Sequence, residues 1–417
     1  MTLATAGAAA PMLTACNAPA RLATLPESFR GRASFHGMPA ESRVVLDGSQ
    51  DDVLGHIAAS ALRREVAYAQ SQGRKDLDPA DFLAISGGGE NGAYGAGMLT
   101  AWSERGDRPM FKAVTGVSTG ALIAPFAYLG PAYDKQLERF YTAIGPADIM
   151  VSRGLISGLL GESMYDSTPL LKTIRGVMTP EMVQAIAAEH RKGRLLCIAT
   201  TNLDVPVGVL WNIGEIAGSG NKDAGELISR ILLASASIPG AFPPVMIDLD
   251  AGGEHFEEMH VDGGTVAQVV FYPPSFSSDE YFKKNDRDAL ALRRLIAKRK
   301  RSIYVIRNSR PGADMQTVDR STMKIAGRAV STLIATQGIG DLYQLYVIAR
   351  RDGIDYHVSW IPPSFTEKLK EPFDPGYMNR LYQVGRKAVL DGTAWSKYPP
   401  GFSPTPLTPA GSPAAAG

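Results

Sequence analysis

The chain has 417 residues, with 43 Lys and Arg against 42 Asp and Glu, a formal net charge of +1 and 45% hydrophobic residues. So neutral a balance gives no electrostatic support to a nucleic-acid role, and two cysteines exclude a disulfide scaffold. The length would suit two or three domains, yet no Ser, Pro or Gly-rich linker divides the chain after residue 80, so one core with long insertions is expected over residues 44–398.

At the front, Leu13-Thr14-Ala15-Cys16 resembles a bacterial lipobox, in which the cysteine is lipidated and the segment before it removed. Residues 1–16 would then be a signal-like segment, although they carry no Lys or Arg, and 17–43 a tether of mixed polar, Pro and Gly content. That reading places the protein in the cell envelope, anchored through Cys16 and facing the periplasm. If Cys16 is incidental, the cytoplasm is the alternative, and Cys197 within the apolar run Leu195–Ala199 is compatible with either.

The run Asp81–Ser86 reads as a strand and leads into Gly87-Gly88-Gly89-Glu90-Asn91-Gly92, with a helix starting near Ala93. Glycines at 87, 89 and 92 also satisfy the dinucleotide fingerprint, which would make the chain a nucleotide-binding oxidoreductase. That reading requires an acid at the end of the second strand. Here the second strand ends on Gly116-Val117-Ser118, and the nearest acids, Glu104 and Asp107, precede it. The same backbone can instead turn the N–H groups of Gly88 and Gly89, and the positive end of the following helix, toward an anionic reaction intermediate.

Residues 112–117 form the second expected strand, and Thr119–Ala124 opens a helix, so Gly116-Val117-Ser118-Thr119-Gly120 is a strand-turn-helix elbow. A serine there is exposed on a tight turn, as a nucleophile must be, and small residues on both sides permit the turn. Beyond it, Ile149–Gly161 is apolar and glycine-rich. It is either a lipid-facing lid, with Leu155, Ile156 and Leu159 exposed, or an ordinary buried helix and loop. The uncharged, proline-broken segment Ala234–Val245 is expected to run beneath the site floor.

A serine nucleophile needs a base, and Asp262 is the best candidate: Met259-His260-Val261-Asp262 is a strand running into Gly263 and Gly264. A carboxyl with an ordinary pKa of about 4 would have to be desolvated and hydrogen-bonded directly to the serine hydroxyl to do this. A Ser-Asp-His triad would need His357, which sits in the alternating strand 355–361 and reads as structural. His260 faces the same side as Asp262 and reads as a satisfied neighbour that could tune it. The acids and histidines of Glu254–His260 match no standard zinc spacing and read as a polar hairpin, so no metal and no cofactor is expected.

These three blocks in this order resemble the patatin-like phospholipase family, whose members carry a glycine-rich oxyanion loop, a G-x-S-x-G serine and a D-G-[GA] aspartate on one sheet. The likeness covers Asp81 to about Pro274. It implies an α/β fold of three layers, α/β/α, with a mainly parallel central sheet and helices on both faces. It also implies Ser118 as nucleophile, Asp262 as its sole base, Gly88 and Gly89 as oxyanion donors, and Gly87, Gly92, Gly116, Gly120, Gly263 and Gly264 as motif support. Two positions depart from the pattern: Asn91 stands where Arg or Lys is usual, and Gln268 where Asn is usual.

Strands are expected at 82–86, 112–117, 194–200, 258–262, 302–307 and 355–361, with helix stops at Gly106, Gly353 and Gly392. The basic residues between Arg293 and Arg301 read as a solvated helix end, with contact to anionic lipid headgroups as the other use. Residues 399–417 form a Pro, Ala and Gly-rich tail expected to be disordered. The resemblance implies a serine hydrolase of lipid esters working at a membrane surface. The alternative is a non-catalytic envelope scaffold of the same fold. Headgroup, chain length, positional preference and oligomeric state are not written in these motifs.

Overall fold

The computed structural model describes residues 21–29, 33, 35, 37–154, 161–277, 281, 287–312 and 317–404. Cys16, the three lid residues Leu155, Ile156 and Leu159, and residues 405–417 of the tail lie outside them. The core is a nine-stranded mixed sheet. Its body is five parallel strands: β6 (Leu195–Asn202), β3 (Ala113–Val117), β2 (Ala80–Ile85), β10 (Arg301–Arg307) and β11 (Asp355–Trp360), in that spatial order. Beyond β6 the sheet turns antiparallel, through β7 (Val207–Asn212) to β1 (Arg43–Val45). A hairpin of β8 (Val245–Ala251) and β9 (Glu254–Asp262) joins the far end of β6. A separate ribbon pairs β4 (Val151–Ser152) with β5 (Tyr165–Asp166).

All six expected strands are present. The sequence reading did not anticipate β1, β7 and β8. The inner parallel strands β6, β3, β2 and β10 are largely apolar because both of their faces are covered, whereas β11 at the sheet edge alternates. Alternation along them sends Leu83, Ile85, Leu196, Ile198 and Ile306 into one core, with helices α2 (Gly92–Arg105), α3 (Thr119–Leu129) and α4 (Ala224–Ser235). Their neighbours Ala84, Val305, Cys197 and Ala199 face the other way, toward α1 (Asp51–Ser71) and the later half of α5 (Thr322–Arg351). Gly106, Gly353 and Gly392 follow helix ends with positive φ, as read.

The basic run differs from its reading at two residues, Arg299 and Arg301, the second of which is half-buried at the start of β10 and donates to Asp352 O. Arg294, Lys298 and Lys300 are exposed, but Arg299 turns inward. Its guanidinium bonds both oxygens of Glu65 on α1 at 2.7 and 2.8 Å, and Lys112, at the foot of β3, pairs with the same carboxylate. Burial pushes the Glu65 carboxyl up, but the bonds from Arg299 and Lys112 outweigh it and hold it below its ordinary value. A buried ion pair owes its value to being complete. Replacing Glu65 with Ala leaves two basic groups facing each other in a half-dry site, and a loss of about 3 kcal/mol is expected in urea unfolding. A change within about 0.5 kcal/mol would show that the cluster is solvated after all.

Candidate active site

Four segments converge at the carboxyl ends of the central parallel strands, where open α/β sheets place their ligands. They are the loop from β2 to α2, the turn from β3 to α3, the end of β9 and the end of α4. Strand β6 sets their levels. Its Ala199 pairs with Val117, the last residue of β3, and its Thr200 pairs with Asp262, the last of β9. Because β7 fills the other edge of β6, β3 and β9 meet end to end on this one, so Ser118, one step beyond Val117, comes up against Asp262, and the Asp262 carboxyl is hydrogen-bonded by the Ser118 side chain.

Ser118 has φ 54° and ψ −125°, a backbone state that side chains rarely adopt. The fold holds it there from both sides. Its N–H donates to Ser235 Oγ at 2.9 Å, and that hydroxyl donates to Ala199 O at 2.7 Å. Just after it, Gly120 lies so close to the neighbouring strand that a Cβ would stand 2.2 Å from Ile85 O. The elbow exists because glycine lets α3 start against β2.

The loop after β2 packs on the same serine, since a Cβ on Gly87 would stand 3.1 Å from Ser118 Cβ. Gly88 has φ 155°, and a Cβ there would meet Asn308 O at 2.2 Å, so both conformation and space demand glycine. The first turn bond is Asn91 N–H to Gly88 O at 3.1 Å. The N–H groups of Gly88 and Gly89 come before it and so have no partner in the helical ladder. Asn308, fully buried just after β10, ties the loop down: it bonds Ser86 O through Nδ2 at 2.9 Å, receives Gly95 N–H at 3.1 Å, and donates its own N–H to Ser86 Oγ at 2.8 Å.

Asp262 is 5% exposed, as is Ser118. Its N–H donates to Ser237 O at 2.9 Å, and its Oδ1 accepts from Gly264 N–H at 2.7 Å. Burial pushes its carboxyl up to about 7, against the hydrogen bonds from Ser118 and Gly264 that favour the charged form. Segment 234–245 thus does run beneath the site, through Ser235 and Ser237. Gln268 lies across it, with Nε2 on Gly264 O at 3.1 Å and its carbonyl taking Gly87 N–H at 3.3 Å, while Asp341 of α5 receives its N–H at 2.6 Å. Asn91 does not supply a charge: its Oδ1 accepts from Tyr377 Oη at 2.7 Å.

The two histidines are engaged elsewhere. His260 is fully buried, with Nδ1 2.9 Å from Thr200 Oγ1 and Nε2 3.1 Å from Glu258, which also pairs with Arg43. Burial holds its pKa below the ordinary value. His357, on edge strand β11, stacks on Tyr304 and bonds Asp355 and Lys397 through Nε2 at 3.0 and 3.1 Å. The described residues contain no group of three or more acids, cysteines or histidines arranged to hold a metal ion. Ser235 and Asn308 were missed by sequence reasoning. Ser235 was only one of two serines in an uncharged run, and for Asn308 the available signal was its place directly after a parallel strand.

Because the native Asp262 carboxyl keeps its proton to about pH 7 and an unfolded one releases it near 4, the folded state binds more protons between those values. Stability from this group is complete below about pH 4 and is lost as pH rises through 7. Asp262→Asn is therefore expected to raise the thermal midpoint at pH 8 and leave it nearly unchanged at pH 4. A lower midpoint at pH 8 would mean that the carboxylate is solvated.

Residues 83–273 match the family model described as patatin-like phospholipase. No curated protein sequence matches the chain. Among solved structures, VipD from Legionella pneumophila is similar at 10% identity and a TM-score of 0.36, over 76% of this chain and 66% of that one. Human GIVD cytosolic phospholipase A2 is similar at 11% identity and a TM-score of 0.30, over 82% of this chain and 55% of that one. The chain thus spans less than two thirds of either neighbour. The family match begins within β2 and runs past Asp262, so it takes in both glycine turns and the aspartate: residues 83–273 are a patatin-like phospholipase domain.

Proposed function

We propose that this domain is a serine acyl hydrolase of lipid esters, with Ser118 and Asp262 as a two-residue catalytic unit. The observation that carries the reading is a serine held at positive φ on an elbow, hydrogen-bonded to a buried carboxyl whose pKa is raised to about 7. Ser118 Oγ attacks the ester carbonyl carbon while Asp262 takes its proton. The developing oxyanion is met by the N–H groups of Gly88 and Gly89. The alcohol leaves with the proton from Asp262, and the acyl group stays on Ser118 as an ester. Water then attacks that ester, giving its proton to Asp262, which returns it to Ser118 as the acid departs.

A carboxyl of ordinary pKa would be a poor base for this task, because a general base works best with a pKa near the working pH. Burial of Asp262 supplies the correction. Gln268, whose main-chain carbonyl accepts Gly87 N–H, and Asn308 act as positioning residues in this scheme, since each fixes the loop that carries the oxyanion donors. The scheme requires no metal. Phospholipase A, lysophospholipase and general esterase action all fit it, because headgroup and chain choice belong to the pocket and not to the dyad.

The test is turnover of a short-chain soluble ester and of a phospholipid, with chelator present. Ser118→Ala and Asp262→Asn are each expected to lower turnover by about a thousandfold or more, and His357→Ala to leave it within about twofold. On the acid side, turnover should fall as pH drops through about 7, where Asp262 takes up its proton. Glu90, in the same loop, is also pushed up by burial, so Glu90→Gln is the control that must leave this midpoint in place. Full activity of Ser118→Ala would sink the proposal, and loss on changing His357 would point to a triad.

A further inference from the structure

Helix α5 has two unlike halves. Its later half packs against the sheet: Leu342, Leu345 and Ala349 are buried with Ile303, Val305, Tyr356 and Val358, and Leu342 O accepts from Tyr356 Oη at 3.2 Å. The middle rests on the site. Asp341 accepts the N–H groups of Gln268 and Val269 at 2.6 and 3.1 Å, and Ala335 O accepts from the buried Arg307 at 3.2 Å. The first thirteen residues, Thr322 to Ile334, lie before both. At 1.5 Å per residue they carry the helix about 20 Å, past the carboxyl ends of the strands where Ser118 sits.

This overhang carries exposed apolar side chains. Ile325, Val330 and Leu333 are 54%, 44% and 69% exposed, and they share one side of the helix with Ala329 at spacings of four, five and eight residues from Ile325. Solvent-exposed helices ordinarily put polar residues at such positions, and clustered exposed apolar side chains mark an interaction surface. Lys324 and Arg328 stand on the opposite side. From Arg320 to Gly340 the chain has three basic residues and no Asp or Glu.

We propose that the Thr322–Ile334 arm of α5 is the element that docks the enzyme on an anionic phospholipid surface, with Ile325, Val330 and Leu333 entering the acyl boundary and Arg320, Lys324 and Arg328 meeting the headgroups. The partner class follows from the combination of an apolar side with an all-basic charge set, which attracts a negatively charged leaflet. Two copies packed through this arm would bring like charges together. None of the described helices is long and apolar enough to cross a membrane, so the arm lies on the surface. Because α5 also holds Gln268 through Asp341, docking sets the mouth of the site against the lipid. This inference rests on the lipid-ester reading above.

The test uses the full chain and vesicles of phosphatidylcholine mixed with phosphatidylglycerol. In the Ser118→Ala background, Ile325→Asp/Val330→Asp/Leu333→Asp is expected to reduce co-sedimentation about tenfold or more. In the active enzyme the same triple variant should lose vesicle turnover to a similar degree and keep soluble-ester turnover within about twofold, which also shows that it folds. Lys324→Gln/Arg328→Gln should weaken binding to the mixed vesicles at low salt, with the difference closing as salt is raised. Unchanged sedimentation and vesicle turnover in the triple variant would overturn the proposal, as would a wild-type dimer that the triple variant splits without change in vesicle binding. Absence of soluble-ester turnover in the wild type would sink the hydrolase reading while leaving the sedimentation result readable.

Discussion

The rest of the site depends on the placement of one buried carboxyl against one hydroxyl. Asp262 and Ser118 come from strands that do not pair with each other, and what brings them together is β6, whose one edge pairs first with β3 and then, past Ala199, with β9, while β7 holds its other edge. Register in a sheet is a two-residue code, so a slip of one residue in either pairing would send a side chain to the wrong face. The antiparallel hairpin β8–β9 is thus more than an appendage of a parallel sheet. By pairing with the last residues of β6 it delivers an aspartate to the carboxyl edge, which a further parallel strand would need a long crossover connection to do.

That pairing explains why the surrounding contacts are so close. A positive φ at Ser118 is costly for any residue with a side chain, and it persists because Ser235 holds the serine N–H and Gly120 leaves no room for the turn to relax. On the other wall, Gly88 is pressed on Asn308 O. The site is therefore assembled from backbone in contact with backbone, and its glycines are positions where the chains meet. Buried hydroxyls and one amide, of Ser86, Ser235 and Asn308, stitch the layers without adding charge. A low-charge surround is what keeps the Asp262 carboxyl raised.

The sequence made the parallel strands legible because the inner ones are largely apolar runs and β11 alternates with a period of two, and it made the two turns and Asp262 legible because the glycines in or beside them are forced by geometry that any such site shares. Short β1, β7 and β8 escaped. Arg43-Val44-Val45 is only three residues long, Val207–Asn212 contains a glycine, and β8 alternates Asp with aliphatic residues after a proline pair, a pattern that blends into the hairpin following it. Arg299 was misread for another reason: sequence shows that a residue is basic but not that Glu65, 234 positions away, waits for it. Ser235 and Asn308 were hidden in the same way, since their roles consist of hydrogen bonds to groups distant in the chain.

In the role proposed for Asp262, a sole carboxylate base makes a demand on the substrate as well as on the enzyme. Asp262 is raised only while water is kept from it, and any substrate that brings water into the pocket would lower its pKa and weaken it as a base. In the proposed scheme the hydrocarbon of a lipid ester would displace water from the site, so binding would preserve the condition that the base needs. A small polar ester would not. In a two-residue catalytic unit, then, preference for lipid substrates can arise from the electrostatics of the base before any shape selection in the pocket, and an apolar arm beside the mouth would act in the same direction by presenting the site to an interface that is already dry.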